Sequence, residues 1–137
     1  MSDFVLDTSV VMPWCFGDEA NPLSDSLLRR LEAEEEATVP SLWPFEVSNA
    51  LLSAKRKGRV TEAQILGFLE DLRSFRIRID LEGQTRAFSD IRSLGEKYGI
   101  TAYDAAYLEL SMRTGVPLAT LDEALKKAAA AAGAAVI

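Results

Sequence analysis

Histidine is absent from the 137-residue chain, and cysteine occurs only once, at Cys15. Without histidine there is no Ser-His or Cys-His catalytic pair, no imidazole general base and no histidine-rich zinc site. A single cysteine forms no internal disulfide, so a reducing compartment is compatible with the sequence. Any chemistry must therefore rest on carboxylates, hydroxyls, amines or a bound hard cation.

Long hydrophobic runs are also lacking, and no apolar stretch has the length needed to cross a membrane. The first residues, Met1 to Asp3, lack the basic region of a secretion signal, and Asp7 interrupts the first apolar run. These features predict a cytoplasmic protein. The length, without repeats or linkers, predicts a single domain over residues 1–137.

The chain also lacks an excess of positive charge, because 15 basic and 21 acidic residues give a net charge of −6. This balance argues against non-specific phosphate binding as the main function. An acidic protein can still act on nucleic acid if its acids hold a metal ion, since the ion reverses the local charge.

Short apolar strands alternate with helical segments, a pattern typical of α/β proteins with a central parallel sheet and right-handed crossovers. The five predicted strands cover residues 4–6, 37–39, 76–80, 116–120 and, more weakly, 134–137. The helices are predicted at residues 9–16, 21–34, about 44–57, from 62 to about 72, 87–98, 101–114 and 123–132. The third and fourth form an amphipathic hairpin, whose exposed side we expect to bind a protein.

Asp7 follows the first strand directly. In open parallel sheets the ligand crevice lies outside the carboxyl ends of the strands, so an acid there is placed in a site by the fold. The alternative is a helix N-cap, because Asp, Thr and Ser all cap helices well.

Three further acids, Glu46, Asp104 and Asp122, lie near helix starts that we expect at the same edge of the sheet. The first two have a structural alternative. Glu46 is also favoured by the helix dipole, and Asp104 is also a capping-box partner of Thr101. For the last helix, a capping box between Thr120 and Glu123 leaves Asp122 without a capping role.

Four carboxylates in one crevice repel each other, and a hard divalent cation is the simplest compensation. Magnesium and manganese prefer oxygen ligands and are usually held by few carboxylates together with substrate phosphates. Such ions activate water for in-line attack on a phosphodiester and stabilise the leaving oxygen. This chemistry needs no histidine.

Four segments together resemble the PIN domain, and more narrowly the VapC-type toxins of prokaryotic toxin-antitoxin pairs. They are Phe4-Val5-Leu6-Asp7-Thr8-Ser9, Pro40 to Leu51 around Glu46, Thr101-Ala102-Tyr103-Asp104-Ala105-Ala106-Tyr107, and Leu118-Ala119-Thr120-Leu121-Asp122. Each motif is weak alone, but four in this order and spacing are specific.

The resemblance implies a three-layer fold with sheet order 3-2-1-4-5 and a magnesium- or manganese-dependent endoribonuclease. It implies a homodimer and a cognate antitoxin that covers the site. Asp7 and Asp104 correspond to the main metal ligands, and Glu46 and Asp122 complete the acidic quartet directly or through water. Ser9 or Thr120 would support the quartet by hydrogen bonding.

Two related folds fit less well. A phosphoaspartate receiver resembles a pattern with paired acids after the first strand, and a haloacid-type phosphatase needs an acid where Ser9 stands. The stronger alternative is a catalytically weak or inactive module that binds protein or RNA through its helical hairpin.

Overall fold

Four parallel strands form the central sheet in the computed structural model, which describes residues 2–137. They are β1 (Phe4–Leu6), β2 (Glu36–Pro40), β3 (Arg76–Asp80) and β4 (Leu118–Ala119). Their order across the sheet is β3-β2-β1-β4, as the resemblance implies. The interior strand β1 is fully buried, whereas the alternating edge strand β3 is half exposed.

Seven α-helices flank this sheet. They are α1 (Thr8–Val11), α2 (Pro22–Glu32), α3 (Trp43–Arg56), α4 (Glu62–Ser74), α5 (Arg92–Tyr98), α6 (Ala102–Thr114) and α7 (Glu123–Ala132). Short 3₁₀ turns lie at Met12–Trp14, Gly17–Glu19 and Glu82–Arg86, and a π-helical turn lies at Ala87–Ile91. None of the helices in the described part of the chain is long and apolar enough to cross a membrane.

Helix α6 is the central helix of the core. Every residue from Ala105 to Ser111 is buried, and the helix packs against β1 and β2. A helix buried on most sides is largely apolar, and the two polar residues in this stretch have partners, since Glu109 accepts from Arg113 and Ser111 donates to the Val116 carbonyl. Its first turn stays accessible, with Asp104 half-buried there.

The predicted fifth strand is only a single parallel bridge between Leu118 and Val136. The amide of Leu118 donates to the carbonyl of Ala135, and the amide of Ile137 donates to the carbonyl of Leu118, both at 2.9 Å. Gly133 ends α7 in the left-handed conformation, so few residues remain to pair with β4. The order is retained, but the strand count of five was too high.

The predicted continuous helix from Ser9 to Phe16 is also wrong. Helix α1 ends at Val11 and gives way to the 3₁₀ turn that contains Pro13. Proline has no N–H to donate, and its ring clashes with the carbonyl four residues earlier. Both effects act against Pro13 inside an α-helix and favour a change of helical type here.

An ion network ties α6 to the edge strand β3. Arg113 donates from Nη2 to Asp80 Oδ2 at 2.7 Å and from Nε to Glu109 Oε1 at 2.7 Å. The three side chains are 17%, 13% and 6% exposed, respectively. The two acids are therefore shielded from water and share the Arg113 guanidinium, while Glu109 Oε1 also lies 3.5 Å from Arg86 Nε.

Candidate active site

Asp7 lies where β1 meets β4. Leu6 is in register with Ala119, and the Asp7 amide donates to the Ala119 carbonyl at 3.0 Å. Its carboxylate oxygen Oδ2 accepts from Ser9 Oγ and from Thr120 Oγ1, both at 2.6 Å. Asp7 occupies the N-cap position of α1, but its side chain makes no capping bond. The capping alternative for Asp7 is therefore wrong.

The environment of Asp7 favours its protonated form. Burial raises the pKa of the carboxyl and outweighs the hydrogen bonds from Ser9 and Thr120, and the charge of Asp122 raises it further. The side chain is held in place by two hydroxyls, and Asp7 forms no ion pair with any residue in the range 2–137.

Glu46 projects from the first turn of α3 toward α1 and α6. Its Oε1 accepts from Thr8 Oγ1 at 3.1 Å and from Tyr107 Oη at 2.5 Å. Burial raises the pKa of Glu46 despite these bonds, and the charge of Asp7 adds to the rise. No role was predicted for Thr8 or Tyr107, although both lie inside the quoted motifs, next to Asp7 and three residues after Asp104.

Asp104 is the acid with fewest partners. Its amide donates to Thr101 Oγ1 at 3.1 Å, which is half of a capping box, but its carboxylate accepts no hydrogen bond from any described residue. Burial raises its pKa to about 6, and the charges of Asp122, Asp7 and Glu46 contribute in that order. The charges of the other three acids therefore act on the carboxyl of Asp104.

Asp122 caps helix α7, a role that the sequence pattern predicted for Thr120. Asp122 is the N-cap of α7, and its Oδ1 accepts from the Leu125 amide at 3.1 Å. Thr120 is fully buried and donates to Asp7 instead of capping with Glu123. The predicted capping box is wrong because the hydroxyl needed for it is directed at the neighbouring strand's aspartate.

The cluster carries negative charge without a protein cation to offset it. Among the described residues, none of the ion pairs includes Asp7, Glu46, Asp104 or Asp122. Hard carboxylate oxygens without cationic partners are a donor set that suits magnesium or manganese. Within residues 2–137, however, no three acids stand close enough together to hold a metal ion between them. The residues fit a site with few protein ligands and several waters, rather than a closed cage.

Asp104 makes the stability of the metal-free protein depend on pH. Because its pKa is raised from 3.8 to about 6, the folded state binds the proton more tightly than the unfolded chain. This contribution to the free energy of unfolding is complete below about pH 4 and is lost as the pH rises through about 6. We expect Asp104→Asn to make the decline between these pH values shallower.

Urea unfolding of the metal-free proteins across this pH range measures the effect. Asp71→Asn, at an exposed acid on α4, is the matched control and should follow the wild-type curve. Equal declines for wild type and Asp104→Asn would contradict the repulsion among the acids.

Comparison with known proteins identifies the family of this chain. The family model described as PIN domain matches residues 4–131. The chain is 30% identical over 121 residues to Ribonuclease VapC3 of Pyrobaculum aerophilum. The aligned region covers 88% of this chain and 90% of that protein.

Two crystal structures share the fold. One is PAE2754 from Pyrobaculum aerophilum, with a TM-score of 0.69 at 22% identity, covering 93% of this chain and 84% of that one. The other is FitAcB from Neisseria gonorrhoeae, with a TM-score of 0.64 at 19% identity, covering 98% and 96%. From the family match and the related ribonuclease, the chain belongs to the PIN-domain family.

Proposed function

We propose that this protein is a metal-dependent endoribonuclease, the toxin of a toxin-antitoxin pair, that hydrolyses RNA phosphodiester bonds at its four clustered acids. The observation that carries the proposal is the carboxyl of Asp104, whose pKa is raised to about 6 by burial and by three other acids. The related Ribonuclease VapC3 supports the reaction class.

Asp7 and Asp104 are the residues that would hold Mg²⁺ or Mn²⁺ directly, with Glu46 and Asp122 contributing directly or through water. When bound, such an ion supplies positive charge at the phosphate and an activated water. Ser9 and Thr120 fix the orientation of Asp7 through its Oδ2.

Two hydroxyls orient Glu46 in the same way. Thr8 and Tyr107 hold Oε1, which leaves the other carboxylate oxygen, Oε2, without a protein donor among the described residues. That oxygen is available to a water or an ion. The contacts therefore orient Asp7 and Glu46 while leaving part of the acceptor capacity of each carboxylate free.

Divalent metal should stabilise the protein, because it relieves the repulsion within the quartet. A metal concentration ten times the Kd adds about 1.4 kcal/mol to the free energy of unfolding. For a chain of this size, that corresponds to a rise in melting temperature of roughly 3–8 °C. Thermal unfolding with millimolar Mg²⁺ or Mn²⁺, and with EDTA, measures it.

The matched variants localise the metal effect. Asp104→Asn should lose most of the metal-induced shift, whereas Asp71→Asn should keep it. RNA cleavage measured on the same samples should require the metal and stop with EDTA. A melting temperature unaffected by metal, together with no metal-dependent cleavage, would refute the proposed activity.

The partners follow as part of the same proposal. A toxin of this kind acts in the cytoplasm as a homodimer and is neutralised by a cognate antitoxin. The hairpin of α3 and α4 offers a surface for such contacts, since Leu52 is 51% exposed on one helix and Leu66 is 58% exposed on the other. Contiguous exposed apolar patches mark protein-binding surfaces, and a patch that joins these two side chains would serve as one.

The same hairpin favours the second candidate, a binding module without catalysis. No three of the acids in residues 2–137 lie close enough together to hold a metal ion, and this spacing is compatible with a binding module. The two functions differ in one measurement, because a binding module cleaves no RNA at any metal concentration.

A further inference from the structure

Tyr107 is the largest fully buried side chain in the part of the chain that the structure describes. Its ring lies in the hydrophobic core, yet its hydroxyl reaches the acid cluster. The oxygen Oη lies 2.5 Å from Glu46 Oε1 and 3.0 Å from Thr8 Oγ1. A buried tyrosine hydroxyl usually finds a hydrogen-bond partner, so the function of these contacts depends on what the partners do.

The partners of Tyr107 belong to elements that carry acids. Tyr107 lies three positions after Asp104 on α6, and residues with this spacing share one face of a helix. Glu46 is in the first turn of α3, and Thr8 is the first residue of α1, directly after Asp7. The hydroxyl is therefore placed where the helices that carry or follow three of the four acids meet.

The two hydroxyls at Glu46 do not contribute equally. A phenol has an ordinary pKa near 10, so the Tyr107 hydroxyl is protonated at neutral pH and donates its hydrogen to the carboxylate. The single hydrogen of Thr8 has two possible acceptors, Glu46 Oε1 at 3.1 Å and Tyr107 Oη at 3.0 Å. The contact from Tyr107 is the shorter one, and its hydrogen is not shared.

Tyr107 is also the more rigid of the two donors. Its helix is buried continuously from Ala105 to Ser111, and close-packed cores leave a large ring little room to move. A glutamate side chain loses considerable rotamer freedom when it is fixed. Because the phenol already restrains Glu46 in the metal-free protein, less of that ordering cost remains when a ligand binds.

We propose that Tyr107 is a positioning residue for metal binding, which acts by holding Glu46 in place through its hydroxyl before the ion arrives. The inference rests on the proposed metal-dependent function and adds to it a residue outside the four acids. Groups that orient the ligands of a metal site typically contribute about 10- to 100-fold to metal affinity.

Mn²⁺ binding to the metal-free protein, without RNA, measures this contribution. Electron paramagnetic resonance of the free ion gives the Kd for wild type and for Tyr107→Phe, which removes the hydroxyl and keeps the ring. The Kd should rise about 10- to 100-fold. Tyr98→Phe removes the same group from a half-buried tyrosine on α5 and should bind Mn²⁺ like wild type.

A double-mutant cycle with Glu46→Gln distinguishes positioning from a structural role. If Tyr107 acts through Glu46, Tyr107→Phe should change the Kd less than about twofold once Glu46 is replaced. Thr8→Val should weaken Mn²⁺ binding less than Tyr107→Phe does, because the Thr8 hydrogen is divided between two acceptors. In cleavage assays, Tyr107→Phe should raise the metal concentration for half-maximal rate by the same factor as the Kd.

A purely structural tyrosine would give a different result. Tyr107→Phe would then lower the melting temperature of the metal-free protein and leave the Mn²⁺ Kd unchanged, which would overturn the inference. The same loss of affinity with and without Glu46 would also overturn it. So would a Tyr107→Phe protein without a cooperative unfolding transition, because the hydroxyl would then serve the fold.

The measurements also separate the two proposals. If wild type cleaves no RNA but binds Mn²⁺ with an affinity that depends on Tyr107, the nuclease proposal fails and the positioning role stands. If wild type cleaves RNA with metal and Tyr107→Phe binds Mn²⁺ equally well, the positioning role fails and the nuclease proposal stands.

Discussion

Asp7→Asn is expected to abolish metal-dependent RNA cleavage while the protein stays folded. Removing a partner that only supports a metal ligand costs about 10- to 100-fold, so losing the proposed ligand itself should cost more than about 100-fold. Initial cleavage rates of a labelled RNA, with saturating Mg²⁺ or Mn²⁺, measure the loss.

The fold should tolerate this change because of how Asp7 is held. Both hydroxyls, from Ser9 and Thr120, donate to the same oxygen Oδ2, so a single amide oxygen can accept both. The substitution also removes a buried charge whose pKa is raised by burial and by Asp122. The metal-free variant should therefore be at least as stable as wild type in urea unfolding.

Asp71→Asn is the control for this experiment, as an exposed acid outside the site. It should cleave RNA at the wild-type rate. Equal cleavage by wild type and Asp7→Asn would place the activity elsewhere, whereas an unfolded Asp7→Asn protein would contradict the hydrogen-bonding account.

Arg113→Met is expected to have the largest effect on stability. The substitution keeps much of the side-chain volume but removes the guanidinium that pairs Asp80, which is shielded from water, and leaves Glu109 with the longer contact to Arg86 Nε at 3.5 Å. Breaking a buried ion pair by removing one partner costs about 3–5 kcal/mol. Urea unfolding at neutral pH measures this loss.

The same network predicts an acid-sensitive component of stability. Burial alone would raise the pKa of Asp80, but hydrogen bonds from Arg113 and the Gly83 amide outweigh it and lower the pKa. A lowered pKa means stabilisation that is present above the unfolded pKa and is lost as the pH falls through the folded value. In Arg113→Met, this acid-dependent loss should shrink.

Arg56→Met provides the comparison, because Arg56 is exposed near the end of α3 and forms no ion pair with described residues. Such surface changes usually stay within about 0.5 kcal/mol. A loss of the same small size for Arg113→Met would show that the network contributes little beyond its packing.

Most helices and strands were predicted from local sequence patterns. The capping box between Thr61 and Gln64 is present as predicted, and Gly58, Gly99 and Gly115 take left-handed conformations at helix ends. These features depend on residues within four positions of one another, so the sequence contains the whole interaction. The break at Pro13 is equally local and was readable from the same rules.

Interactions between distant segments account for what was missed. The Thr8 and Tyr107 contacts to Glu46 span 38 and 61 residues, and the Thr120 contact to Asp7 spans 113. Whether a hydroxyl caps its own helix or bonds a neighbouring strand depends on which strands pair. Because β1 pairs with β4, the Thr120 hydroxyl bonds Asp7, and Asp122 caps α7 instead.

The sequence by itself determined the class of fold, the chain order of the four acids and the absence of any histidine chemistry, since these follow from composition and short-range periodicity. Only the tertiary structure decided which hydroxyls hold Asp7 and Glu46, and that the carboxylate of Asp104 has no hydrogen-bond or ion-pair partner in the part of the chain that the structure describes. The reason is physical: burial and the charges of distant side chains raise its pKa, and both arise only when the strands and α6 pack together.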